Sequence, residues 1–219
     1  MPERLDFPKM YRGNIVASGV LDTDIHREFV KGQHGKKLEF DKIYKRRKSG
    51  LYLASLGLKT NMLRERVLPG QKVAILGIAN GAVQHALDWA VYCKPALPGC
   101  EVVGLTTRKY MVGDQKIVKL TDEARLWLSQ NTPDLVVLDD DVGTTGSSTA
   151  QPVPELQSFG VGSIWAAYDW IRSEYLQFLD QLRVPYSGIV EEPLPNYEPE
   201  ECRTVGLCAQ GVSLESYQP

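Results

Sequence analysis

An α/β fold with a doubly wound, mainly parallel central sheet is what this sequence predicts, on three observations. Apolar runs, VAILGI (73–78), EVVGLTT (101–107), DLVVLD (134–139) and GSIWAAYDW (162–170), alternate with helix-patterned segments, as parallel β-α-β units do. Three of the strands end in unusual sequence: GIANGA, TTRKYMVGDQK and DDDVGTTGSSTA. In an open doubly wound sheet, strand ends of this kind converge on one ligand crevice. The 219 residues, 43% hydrophobic and 24% charged, suffice for a single domain with one core.

The elements follow in order. Leu21, Ile25, Phe29 and Val30 recur at helical spacing behind Asp22 and Thr23, which predicts a short helix over 21–31. GQHGKKLEFDKI then reads as a turn entering a strand through Leu38, Phe40 and Ile43. The basic KRRK of 45–48 reads as a solvated face. Residues 50–67 form an amphipathic helix stopped by Pro69-Gly70. The first core strand is followed by a helix over 81–93, in which His85 is structural and Trp89 and Tyr92 pack the core. KIVKL (116–120) is a short edge strand, and TDEARLWLSQ (121–130) a helix capped by Thr121. Pro152 and Pro154 delay the helix that follows the third strand. Trp165 packs the core from the fourth strand, and 171–182 form another helix. Beyond Val190, the proline-rich EEPLPNYEPEEC reads as an extended surface tail.

Composition excludes several function classes. A net charge of −2 gives no global case for nucleic acid or an anionic membrane, so any anion site must be local. No apolar run approaches the ~20 residues of a membrane span, and MPERLDFPKM lacks the apolar stretch of a signal peptide, so a cytoplasmic protein is expected. The four cysteines, Cys93, Cys100, Cys202 and Cys208, read as reduced thiols. CRTVGLC offers half a metal site, but its Cys-x5-Cys spacing is wider than a zinc knuckle's and no histidine lies near it in sequence, so no direct protein metal site is expected.

The most informative stretch is LVVLDDDVGTTGSSTA (135–150). It is no Walker B strand, because GQHGKK at 32–37 fails as a partner P-loop in spacing and lacks the Ser or Thr. As a phosphatase nucleophile turn, Asp139 and Asp141 fit but Gly143 stands at the fifth position, and no GxGxxG follows any strand. What remains suits a phosphorylated sugar. Backbone N–H groups and hydroxyls of Thr144, Thr145, Gly146, Ser147 and Ser148 can wrap a phosphate, while Asp140 and Asp141 accept hydrogen bonds from sugar hydroxyls. Strand alternation points Asp139 away from Asp140, into a structural role.

These residues resemble the 5-phosphoribosyl-1-pyrophosphate (PRPP) signature of type I phosphoribosyltransferases, and the orotate branch is the most similar. LGIANGA (76–82) sits where that family has its pyrophosphate loop, TTRKY (106–110) resembles the start of its mobile catalytic loop, and FVKGQHGKKLEFDK (29–42) and the YEPEEC tail are similar to its terminal segments. The resemblance implies a core of about 70–185, with a small hood assembled from an amino-terminal segment (1–69) and a carboxyl-terminal tail (190–219). It implies transfer of phosphoribose from PRPP to a nucleobase with release of pyrophosphate, orotate giving orotidine 5'-monophosphate in pyrimidine synthesis. A purine, uracil or another base is the alternative acceptor, and a non-catalytic PRPP- or nucleotide-sensing regulator the alternative class. The implied partners are PRPP, a nucleobase and a second copy in a homodimer; the implied cofactor is Mg2+, held mainly by PRPP. Asp140, Asp141, Arg108 and Lys109 would be catalytic, and Ile78, Ala79, Asn80 and Gly81 would bind pyrophosphate, with Lys116 able to replace a cation absent from YMVG (110–113). Where the family's fourth strand often carries Asp-Arg, this chain has Asp169-Trp170; His34, Phe40, Lys42, Trp170 and Arg172 are the candidate base-binding residues.

Overall fold

The structure, a computed structural model, describes residues 6–29, 33–47, 49–113 and 115–215, apart from the side chains of Ala79 and Asn80. The amino-terminal part holds helix α1 (Phe7–Ala17), strands β1 (Ile25–Glu28) and β2 (His34–Gly35), and helices α2 (Asp41–Tyr44) and α3 (Gly50–Arg64). The core follows as β3 (Lys72–Gly77), α4 (Ala79–Tyr92), β4 (Glu101–Val112), β5 (Gln115–Leu120), α5 (Asp122–Gln130) and β6 (Leu135–Gly143). It continues through α6 (Ser147–Ala150), α7 (Val153–Ser158), β7 (Ile164–Ile171), α8 (Gln177–Gln181) and β8 (Tyr186–Glu191). The chain ends in β9 (Asn196–Tyr197), α9 (Pro199–Thr204) and β10 (Ser213–Glu215).

The central sheet has the order β5-β4-β3-β6-β7-β8, parallel throughout except for the β4–β5 hairpin at one edge. Its β3 pairs with β4 on one side (Val73↔Val102) and β6 on the other (Val73↔Leu135), so the order reverses between β3 and β6. A crevice opens at such a reversal. The two faces are covered separately. One packs Ile75, Val137 and Trp165 against Leu56 of α3 and Trp89 of α4; the other packs Leu76, Leu138 and Tyr168 against Leu128 of α5 and Leu156 of α7. Helix starts follow local chemistry, with Ser49 capping Tyr52 N and Thr121 capping Ala124 N. Gly77 joins β3 to α4. A Cβ there would lie 2.5 Å from Val83 Cα and 2.8 Å from the Ala82 carbonyl oxygen, so only glycine lets the helix close onto the strand end.

Several sequence expectations give way to long-range pairing. In place of a helix over 21–31, β1 forms a strand, because residues 25–28 pair with both β2 and the distant β10; Val30 and Lys31 of that expectation lie outside the described residues. Phe40 and Ile43 are buried at helical rather than strand spacing, around α2. The helix over 171–182 shrinks to α8, since Ile171 stays in β7 and Arg172 N donates to Gly143 O. The tail beyond Val190 is not merely extended: β9 and β10 complete a second sheet, of order β10-β1-β2-β9, built from both termini. Trp89 and Trp165 are core residues, whereas Tyr92 is 44% exposed at the end of α4. Helix α1 and strand β8 carried no clear sequence pattern. Among the described residues, no helix is long and apolar enough to cross a membrane.

Candidate active site at the strand-end crevice

At the end of β6 the three aspartates part company. Asp139 is fully buried beneath the crevice, where its carboxylate accepts from Lys59 Nζ (2.7 Å) and meets His85 Nδ1 (2.7 Å). Lys59 also pairs with buried Asp169 of β7 at 2.8 Å and donates to the Asp140 carbonyl at 3.1 Å. Asp169 accepts from the hydroxyls of Tyr11 (2.6 Å) and Tyr44, and Tyr44 stacks on His85 at 4.7 Å. Burial alone would raise the Asp169 carboxyl, but Lys59 and His85 outweigh it and hold it down at about 2. Burial would likewise depress Lys59, yet the two carboxylates keep it above the ordinary lysine range. This network was invisible in sequence, because Lys59 lies 80 residues from Asp139. A lysine on the apolar side of α3 was the only signal that could have pointed to it.

Asp140 and Asp141, one residue further on, are half-buried and lack such a partner. Asp140 Oδ1 accepts from Asp141 N (3.0 Å) and Oδ2 from Thr149 Oγ1 (3.0 Å), while Asp141 Oδ1 accepts from Val142 N (2.7 Å). Among the described residues, neither carboxylate has an ion pair. Both are pushed up, Asp140 by burial and then by the charge of Asp141, and Asp141 by burial above all, with Asp169 adding to it. The pair is poised to accept positive charge or hydroxyl donors.

The loop beyond them encloses a cavity of about 90 Å³ lined by Asp140, Val142 and Thr144 to Thr149. Gly146 turns the loop at φ 74°, in the left-handed region, and a Cβ there would meet Leu179 Cγ at 3.0 Å. Helix α6 runs only four residues before Pro152 opens α7. A helix that short contributes little dipole, so an anion here depends on the loop's own N–H groups and hydroxyls.

Across the crevice, the segment expected to form a loop at 78–81 is the first turn of α4, which starts at Ala79, two residues earlier than its pattern suggested. Ile78 is buried with its N–H bound to Asp139 O, so its side chain belongs to the core; the amides of the first turn have no intrahelical acceptor. Expectations about the side chains of Ala79 and Asn80 lie outside what is described. Gly81 adjoins the acidic pair: a Cβ there would sit 3.3 Å from Asp141 Oδ2. The two strand ends therefore meet.

Arg108 and Lys109 do not start a loop. Strand β4 continues to Val112, pairing Arg108 with Lys119 and Lys109 with Val118 before turning at Gly113 (φ 57°). Alternation puts Lys109 and Lys116 on one face of this ribbon and Arg108 on the other. Partial desolvation and Lys109 lower the Lys116 ammonium, while Asp140 and Asp141 pull it back up, so these four charges share one field. Arg108 and Lys109 line a neighbouring cleft of about 420 Å³ with Thr106, Thr107 and Glu123.

The expected base-binding residues do not gather here. Phe40 and Trp170 are fully buried core residues, and the Trp170 indole donates to Glu192 O, which leaves no open face for a base. Arg172 bonds Leu194 O and Asn196 Oδ1, Lys42 donates to Gly19 O, and His34 sits beside Cys208 in the terminal sheet. Trp170, Arg172, Lys42 and His34 each find a structural partner in the terminal segments instead.

No family model matches the sequence, and no curated protein does. Solved structures do. The chain is similar to orotate phosphoribosyltransferase from Aeropyrum pernix at 18% identity and TM-score 0.59, over 84% of this chain and 93% of that one. The chain has the type I phosphoribosyltransferase fold. It is similar also to an adenine phosphoribosyltransferase at 16% identity and TM-score 0.57, over 82% of this chain and 99% of that one. Against the Mycobacterium tuberculosis orotate phosphoribosyltransferase in complex with PRPP, identity is 14% and TM-score 0.53, over 85% and 96% of the two chains. Within this phosphoribosyltransferase fold, the crevice between β3 and β6 is where the acidic pair and the Gly146 loop lie.

Proposed function

We propose that the chain is an enzyme that transfers the 5-phosphoribosyl group of PRPP to a nucleobase and releases pyrophosphate. The observation that carries this reading is the end of β6: two carboxylates with no ion pair among the described residues, followed by a hydroxyl-lined loop, beside the first turn of α4. On this reading, the N–H groups and hydroxyls of Thr144 to Ser148 hold the 5-phosphate. Asp140 and Asp141 accept from the ribose diol and offset positive charge developing on the ring as the bond to pyrophosphate breaks. Amides of Ala79 to Gly81 and the two cations on one face of the ribbon, Lys109 and Lys116, would stabilise the departing pyrophosphate. A cation suits a carboxylate pair with no ion pair among the described residues, and Mg2+ carried in with PRPP would supply neutralisation of the leaving group.

Orotate is the leading acceptor, supported by the orotate phosphoribosyltransferases among the similar structures. A purine is the second reading, favoured by the comparable likeness to an adenine phosphoribosyltransferase. A homodimer is proposed on the same resemblance. Calorimetry with PRPP and Mg2+, followed by a screen of orotate, adenine, hypoxanthine, guanine and uracil for pyrophosphate release, tests all of this. Release with orotate supports the full reading and release with another base moves the acceptor. Binding without release from any base makes the chain a sensor, and no PRPP binding removes the reading altogether.

A further inference from the structure

Away from the crevice, the terminal sheet gathers four ligand-type side chains: His26 of β1, His34 of β2, Cys202 of α9 and Cys208 of the turn before β10. Their donor atoms all lie within 4.8 Å of one another. We infer that these residues form a structural zinc site that clamps the two ends of the chain together.

Three of the donor–donor distances match the edges of a zinc tetrahedron. Zn–S near 2.3 Å and Zn–N near 2.0 Å at a tetrahedral angle put N and S about 3.5 Å apart. Here His26 Nε2 lies 3.2 Å from Cys208 Sγ and 3.6 Å from Cys202 Sγ, and His34 Nδ1 lies 3.5 Å from Cys208 Sγ. Two nitrogens and two sulfurs in such an arrangement select zinc among the common divalent ions. His26 and Cys202 are fully buried, and both thiols are free rather than bridged. The Cys208 amide donates to Cys202 Sγ at 3.3 Å, a contact that stabilises a thiolate.

The backbone is shaped to bring the two cysteines together. A Cβ at Gly206 would lie 2.7 Å from Cys202 Cα and 2.9 Å from the Tyr197 ring, so the chain turns back on α9 only with glycine there. The sheet that the site would hold needs such a staple. Its strands are two to four residues long, and the histidine–cysteine contacts of the site span 174 to 182 residues of sequence. The inference does not depend on what the crevice binds.

The test uses full-length protein without a histidine tag, purified reduced and without added metal. Elemental analysis is expected to find about one zinc per chain. After zinc removal, cobalt(II) should restore the d–d absorption of a tetrahedral site with a thiolate charge-transfer band. Cys208→Ala and His34→Ala are expected to lose the metal, whereas His34→Cys should retain it and shift the cobalt spectrum toward thiolate ligation. Little zinc in the wild-type protein together with no tetrahedral cobalt spectrum overturns the inference, as does a Cys202–Cys208 disulfide in the freshly purified reduced protein. If the alanine variants do not fold, the wild-type zinc content and cobalt spectrum decide the matter.

Discussion

The crevice floor and its rim make opposite use of the same residue type. On the floor, Asp139 and Asp169 share a fully buried lysine and are ringed by His85, Tyr11 and Tyr44, with Asp169 held at about 2. On the rim, the carboxylates of Asp140 and Asp141 form no ion pair among the described residues, and burial pushes both upward. The floor's carboxylates share the Lys59 ammonium, which ties β6 and β7 to α3. The rim's charges are left to be cancelled by something that binds. Adjacent aspartates in one strand therefore separate into structure and candidate function, and the separator is the position of one lysine.

The largest effect should come from removing the rim charges. Asp140→Asn with Asp141→Asn is expected to lower phosphoribosyl transfer by on the order of 10³-fold, with an unchanged circular dichroism spectrum. Substantial remaining activity would refute the roles given to the pair. On the floor the same logic predicts a loss of stability. Lys59→Met leaves two buried carboxylates uncompensated and should cost about 3–5 kcal/mol in denaturant unfolding. A loss near zero would mean that the network is incidental.

The pH dependence should differ as well. Because Asp169 is depressed in the folded protein, its contribution is complete above the unfolded carboxylate value of about 3.9. It is lost as pH falls toward about 2, an acid transition that Asp169→Asn should blunt. Asp140 has the reverse sign: its carboxyl is raised on folding, so ionising it costs stability as pH rises above the unfolded value. Asp140→Asn should therefore match wild type in acid and exceed it near neutrality by about 1 kcal/mol, measured as unfolding midpoints across a pH series. A variant less stable than wild type at pH 7 would erase the contrast between floor and rim.

How much could be read in advance follows the range of the interactions. The core strands, α5 with its Thr121 cap and the interruption of the helix at Pro152 were legible because each depends on side-chain period or on residues a few positions apart. The β6 loop was legible for the same reason: strand, acids, spacer and hydroxyl turn are consecutive. His34 and Trp170 were not. Their chemistry allows a ligand-binding role, and only their partners, Cys208 for one and Glu192 O in the core for the other, turn them elsewhere. The expected 21–31 helix failed likewise, since β1 exists through pairing with residues near the far end of the chain.

By itself, then, the sequence determined the alternating strand–helix core and the loop that closes β6, because hydrophobic period and turn chemistry are local properties of the chain. Tertiary structure alone decided that Lys59 pairs with Asp139 and Asp169 while, among the described residues, Asp140 and Asp141 form no ion pair. It also brought His26 and His34 to Cys202 and Cys208. Electrostatic pairing and ligand clustering act over a few ångströms, and a distance of 80 or 180 residues along the chain carries no record of which side chains will be that close.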